Sequence, residues 1–239
     1  MNRRKCLTLG LASSVAAVSS RLSAQQDDRK LEASAKPVKP EPERGARQDL
    51  ELVKAFVGAG HSDKNLDRVK DYLSQQPRLI YAAWDWGGGD WETALGGASY
   101  TGSRQMARYL LSQGARIDSY CAAMLGEREV VAALVAANPS VVDAKGPHGY
   151  TLLYHTAISG DVAMAELLKP HLATQPRSYT QALSAAVRDG HLPMTRWLFE
   201  NGDVDPNVED ALGRRPLATA VEKGFEEVAD ELRKHGAQL

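Results

Sequence analysis

Five times along this chain a glycine is followed four residues later by a bulky apolar side chain and eight residues later by a leucine. The glycines are Gly102, Gly126, Gly160, Gly190 and Gly224; the apolar partners are Met106, Val130, Met164, Met194 and Val228; the leucines are Leu110, Leu134, Leu168, Leu198 and Leu232. Apolar groups four residues apart share one helix face, so each glycine predicts an amphipathic helix starting just after it. Three or four residues before each glycine stands an alanine, Ala98, Ala122, Ala157, Ala186 or Ala220, which predicts a preceding helix with a close-packing face. Two helices this short cannot bury their apolar surface alone and must stack on copies of themselves. The pattern predicts an all-α solenoid.

Further positions recur around the same glycines. Thr93-Ala94-Leu95-Gly96, Thr151-Leu152-Leu153-Tyr154 and Arg215-Pro216-Leu217-Ala218 open the first helices, Gly190-His191 is a Gly-His step, and Gly114, Gly202 and Gly236 follow a counted glycine by twelve residues. This set resembles the ankyrin repeat, whose first helix opens Thr-Pro-Leu-His. The resemblance covers Leu50 to Leu239 and implies about six helix-turn-helix repeats joined by short β-hairpin fingers, and protein recognition without chemistry. Thr93 and Thr151 suit first-helix caps, and the later glycines suit the left-handed residue that closes a second helix. The stretches Cys121 to Asn138 and Tyr179 to Gly202 lack the opening threonine. The first unit, Leu50 to Leu79, fits with about five extra residues at His61 to Asn65, which puts Val69 and Leu73 at the bulky positions.

The connections between repeats are uneven. Leu73 to Leu95 spans 22 residues and Leu134 to Leu153 spans 19, whereas Leu110 to Ser119 spans 9, too few for a finger. With stacked helices about 8 to 10 Å apart, a skipped finger predicts a notch on the order of 15 to 20 Å. One wall would be Trp84-Asp85-Trp86-Gly87-Gly88-Gly89-Asp90-Trp91, the other Lys145-Gly146-Pro147-His148-Gly149-Tyr150. The residues before each counted glycine, expected on the concave side, read Tyr100-Thr101, Met124-Leu125, Ile158-Ser159, Arg188-Asp189 and Glu222-Lys223. They predict an apolar N-terminal half and a charged C-terminal half. The candidate partner-binding residues are therefore Trp84, Asp85, Trp86, Trp91, Tyr100, Tyr120, Met124, His148 and Tyr150.

Each feature of that site has a plainer reading. The three tryptophans serve either as aromatic anchors for a partner or as filling for the space of the skipped finger. The glycines at 87 to 89 lead into Asp90 and Trp91 rather than a helix with free amides, which excludes a phosphate loop. Asp85 and Asp90 are too few for calcium and suit turn capping. His148 and His155 lack the further ligands a metal site needs. Gly97-Ala98-Ser99-Tyr100 does not match a nucleophile elbow, and Cys121 stands at a packing position. The sequence predicts no enzyme, no cofactor and no metal.

The N-terminus belongs to another system. Three positive charges at Arg3 to Lys5, an uncharged apolar run from Cys6 to Ser20, and Ala24 at a cleavage point make a signal-peptide layout over residues 1–24. Asn2-Arg3-Arg4-Lys5-Cys6-Leu7 resembles the twin-arginine export motif, departing from it at Asn2 and Cys6. Residues 25–48 are poor in large apolar groups and read as a disordered tether, leaving 49–239 as the repeat domain. Cleavage removes four basic residues and no acid, moving the formal charge from -1 to -5, which argues against nucleic acid. Only Cys121 then remains, so apolar packing and not a disulfide must hold the fold. The expectation is a periplasmic or secreted scaffold with no transmembrane span after cleavage, binding a protein or peptide. The alternative is a small-molecule binder or enzyme using the aromatic notch at Trp84 and His148.

Overall fold

A computed structural model of the chain describes residues 48–172, 176–210 and 213–239. The signal peptide and all but the last residue of the tether lie outside the described residues. The repeats form six helix pairs: α1 (Gln48–Ala59) with α2 (Leu66–Gln75), α3 (Ala94–Thr101) with α4 (Arg104–Ser112), and α5 (Ser119–Leu125) with α6 (Arg128–Ala137). Then follow α7 (Leu152–Ser159) with α8 (Val162–Leu168), α9 (Pro176–Arg188) with α10 (Leu192–Asn201), and α11 (Pro216–Glu222) with α12 (Glu226–Lys234). First helices pack on first helices from α1 through α3, α5, α7 and α9 to α11, and α6, α8, α10 and α12 form a second row. The fold is an all-α solenoid.

From the second repeat on, each turns on its counted glycine, which caps or follows the first helix with a φ between 70° and 83°. At Gly160 the requirement is double, because a Cβ there would also meet the His191 ring at 2.7 Å. His191 Nε2 lies 3.0 Å from the Ile158 carbonyl oxygen and ties the end of α7 to the next repeat. Of the two expected threonine caps, Thr93 accepts from the Gly96 amide at 3.0 Å. Thr151 does not cap α7; its hydroxyl is buried without a hydrogen-bond partner among the described residues. Gly202 is also not left-handed, with φ -135°. It is small because the Tyr179 ring occupies its side-chain space, 2.2 Å from where a Cβ would stand.

Leu110, Leu168, Leu198 and Leu232 are fully buried, as their spacing predicts. Leu134 and Val130 are not: they are 38% and 37% exposed, and Val131 and Val135 are buried instead. Five residues after the glycine the other repeats carry Ala107, Ala165, Thr195 and Ala229, whereas α6 carries Val131, the most apolar of the five, and its burial accompanies a turn of the helix by about one residue. Val131 and Val135 join Val142, Leu152, Met164 and Leu168 in a small core of their own, separate from the main one.

The connections also differ from expectation. Among the described residues one β-hairpin is present, β1 (Ala83–Asp85) paired antiparallel with β2 (Trp91–Thr93), Trp84 opposite Glu92. The other long connections use 3-10 turns at Pro139–Val142 and Pro147–Gly149, and a turn in which the Asp210 amide donates to the Arg214 carbonyl. The extra residues of the first repeat have a structural use. Asp63 accepts from the Met106 amide at 2.7 Å, capping α4, and Ser103 Oγ donates to the His61 carbonyl at 3.1 Å. Val69 and Leu73 are buried in α2.

Candidate functional site

The hairpin turns at Gly87, Gly88 and Gly89, all with positive φ, and Asp85 caps the turn by accepting from the Gly87 amide at 2.9 Å. Because strand side chains alternate in direction, Glu92 points inward between Trp91 and Thr93 and is 1% exposed. Its Oε2 accepts from Trp86 Nε1 at 2.6 Å and lies 2.7 Å from His61 Nε2. Its Oε1 is buried with no hydrogen-bond partner among the described residues. The group facing that oxygen is His148 Nε2, 3.7 Å away.

His148 arrives from the connection between the third and fourth repeats, across the place where the third repeat has no finger. Its amide donates to Asp90 Oδ1 at 2.9 Å and its Nδ1 lies 2.7 Å from Asp90 Oδ2. It is the one non-glycine with positive φ among the described residues, at 58°. The two walls expected to flank an open notch are therefore clasped together.

A line of rings runs on from this clasp. Tyr100 lies 4.8 Å from His148 and 5.9 Å from Tyr150, and Tyr150 stacks on Tyr154 at 3.9 Å. Tyr100, Tyr150 and Tyr154 form one wall of a groove of about 670 Å³. Its floor and far wall come from α9, the turn after α10 and the start of α11, including Arg177, Gln181, Arg188 and Arg214. Arg188 carries two hydrogen bonds to Asp189, at 3.1 and 2.8 Å. Burial works against its charge, but Asp189 and Tyr154 together outweigh burial and hold the guanidinium charged. Burial pushes the Tyr154 hydroxyl up to about 12; that hydroxyl donates to the Tyr100 carbonyl at 3.1 Å. Burial, chiefly, also raises the Tyr100 hydroxyl. Both stay neutral donors near neutral pH.

Residues 172–239, which build most of this groove, match the family model described as ankyrin repeats (3 copies). Helix pairs of the same form continue upstream to α1, with left-handed glycines at Gly102, Gly126 and Gly160. Residues 172–239 are ankyrin repeats. No curated protein matches it. Ankyrin repeats generally mediate protein–protein interaction, typically as non-enzymatic scaffolds. No described helix is long and apolar enough to cross a membrane.

Along the helix array the nine candidate residues part company. Trp86, Tyr100, His148 and Tyr150 belong to the connected set around the clasp. Trp84 packs on the main core with Lys54 over its ring at 5.6 Å, and Trp91 is 63% exposed. Asp85 serves the turn. Tyr120 sits apart against His155, ring centres 4.9 Å apart. Met124 is fully buried, as is Ile158, so the expected apolar concave patch is reduced. Their carbonyls face Arg104, whose Nη1 and Nη2 donate to Met124 O and Ile158 O at 2.7 and 3.0 Å. Among the described residues no group of His, Cys, Asp or Glu is arranged to hold a metal. Cys121 is buried, and burial pushes its thiol up to about 12.

Proposed function

We propose that this ankyrin-repeat protein is an exported scaffold that binds a protein or peptide segment in the groove over α9, with Tyr100, Tyr150 and Tyr154 as the aromatic wall. The observation that carries the reading is the groove itself, concave and about 670 Å³, where polar donors converge beside stacked rings. Tyrosine offers large contact area at low entropy cost together with a hydrogen-bonding tip. The exported location is supported by the charge and hydropathy layout of residues 1–24. Because the Asp90–His148 clasp crosses the notch at Trp84 and His148, this reading puts the partner in the α9 groove instead. A small ligand in the α9 groove is the second reading, favoured by a volume within the range of small-molecule sites.

Site-specific photo-crosslinking tests the proposal. A crosslinker at Gln181, in the groove, should capture a discrete protein in the envelope fraction of the native cell, and one at exposed Arg108 should not. Equal capture at both positions overturns the groove. A small-molecule adduct at Gln181 in place of a protein selects the second reading.

A further inference from the structure

We propose that Asp90, Glu92 and His148 form a proton-binding latch that closes the hairpin onto the fourth repeat. The argument rests on hydrogen-bond valence. Asp90 Oδ2 lies 2.7 Å from His148 Nδ1, so that nitrogen must carry hydrogen. A neutral ring then turns the lone pair of Nε2 toward Glu92 Oε1, and the two acceptors face each other at 3.7 Å. Glu92 Oε1 is buried and unpartnered among the described residues, and a buried acceptor left unsatisfied is costly, more so when charged. One added proton removes the conflict wherever it resides. On Nε2 it makes an imidazolium between two carboxylates; on Oε1 it makes a carboxyl group that donates to Nε2.

The other groups around the ring do not supply that proton. His61 and Trp86 are engaged with Glu92 Oε2. Tyr100 presents its ring to His148 at 4.8 Å, and its hydroxyl lies 3.5 Å from His61 Nδ1. Tyr150, beside Tyr100, contributes an aromatic face. The closed latch thus holds one proton more than the open one, so closure is favoured as pH falls. The positive φ of His148 is a conformation non-glycine residues seldom adopt, and Asp90 holds it by bonding both the backbone amide and the ring. Opening releases that conformation and uncovers the edge of Tyr100. The latch does not depend on what the groove binds.

The test is hydrogen exchange of the full chain at residues 83–93 and 146–150 between pH 5.5 and 8.0, corrected for intrinsic rates and read without any partner. Wild type should open more readily at high pH, by up to about tenfold per pH unit for one linked proton. His148→Gln should remove the dependence and leave the hairpin open throughout. Glu92→Gln should do the opposite, staying protected at pH 8.0, because its amide supplies the donor that Nε2 lacks. No pH dependence in wild type, or an undiminished dependence in His148→Gln, overturns the latch. Should Glu92→Gln fail to fold, wild type and His148→Gln still decide the matter.

Discussion

Arg104 Nη2 donates to the carbonyl oxygen of Ile158 at 3.0 Å, across 54 residues of chain. With Nη1 on the Met124 carbonyl at 2.7 Å, one guanidinium serves the unsatisfied C-terminal ends of α5 and α7 at once, where a positive charge is favoured by both helix dipoles. Hydrogen bonds to a charged group contribute about 1.5 to 3 kcal/mol. Arg104→Met should therefore lower unfolding free energy by about 2 kcal/mol in urea titration. Arg104→Lys should recover part of the loss only, since a single ammonium lacks the fork that spans two carbonyls. A loss below about 0.5 kcal/mol for Arg104→Met would remove the strap.

The rotated α6 gives a second prediction. Leu168→Ala should cost about 2 to 5 kcal/mol, and Val135→Ala about 2 kcal/mol, through lost burial and the cavity left behind. Leu134→Ala should cost less than about 1 kcal/mol because Leu134 is 38% exposed. Urea titration of the three variants checks this, and a Leu134→Ala cost matching that of Leu168→Ala would restore the spacing rule to α6.

That contrast shows what was legible in the sequence. Leu110, Leu168, Leu198 and Leu232 could be placed from their spacing. Leu134 could not, since the neighbouring repeats decide whether α6 turns Leu134 or Val131 and Val135 inward. Thr93 and Thr151 look alike in sequence, yet only the first turns its hydroxyl to an amide. Glu92 and His61 were missed because they meet across 31 residues; the one local hint was a carboxylate at the inward position between Trp91 and Thr93. His148 and Asp90 were singled out separately, as wall and turn, while their bond spans 58 residues. Tyr100 and Tyr150 were visible as aromatics near a concave face. Arg177 and Gln181 join them only through the stacking of α9.

Two glycines with the same backbone demand separate strain from crowding. Gly126 and Gly160 have φ of 83° and 72°, but a Cβ at Gly126 meets nothing and one at Gly160 meets the His191 ring. Gly126→Ala should cost about 1 to 2 kcal/mol from the left-handed conformation alone. Gly160→Ala should cost about 1 to 3 kcal/mol more, from overpacking. Equal thermal midpoints for the two variants would show that His191 yields freely.

His155 sets an acid limb on global stability. Burial, chiefly, pushes its imidazole down to about 4, below the 6.5 of a free ring. Between those values the unfolded chain binds the proton and the native ring does not. Its contribution is thus fully present above pH 6.5 and is lost as pH falls toward 4, by about 3 kcal/mol in all. Urea titrations at pH 7.0 and 4.5 should show the decline, and His155→Phe should flatten it. The latch carries the opposite sign, so acid should protect the hairpin locally while weakening the molecule as a whole. An unchanged slope in His155→Phe would move the acid limb elsewhere.

The separate core around Val131, Val135 and Val142 has a mechanical consequence. In a stack whose stability is a sum of neighbouring interfaces, the gap lies in the second row alone, between α4 and α6, because the main core still runs through Cys121 and Met124 of α5. Pulled from its two ends or taken through denaturant, this array should open first between α4 and α6 with the first row as its hinge, and the Arg104 strap and the Asp90–His148 clasp are the stitches that carry load across that seam.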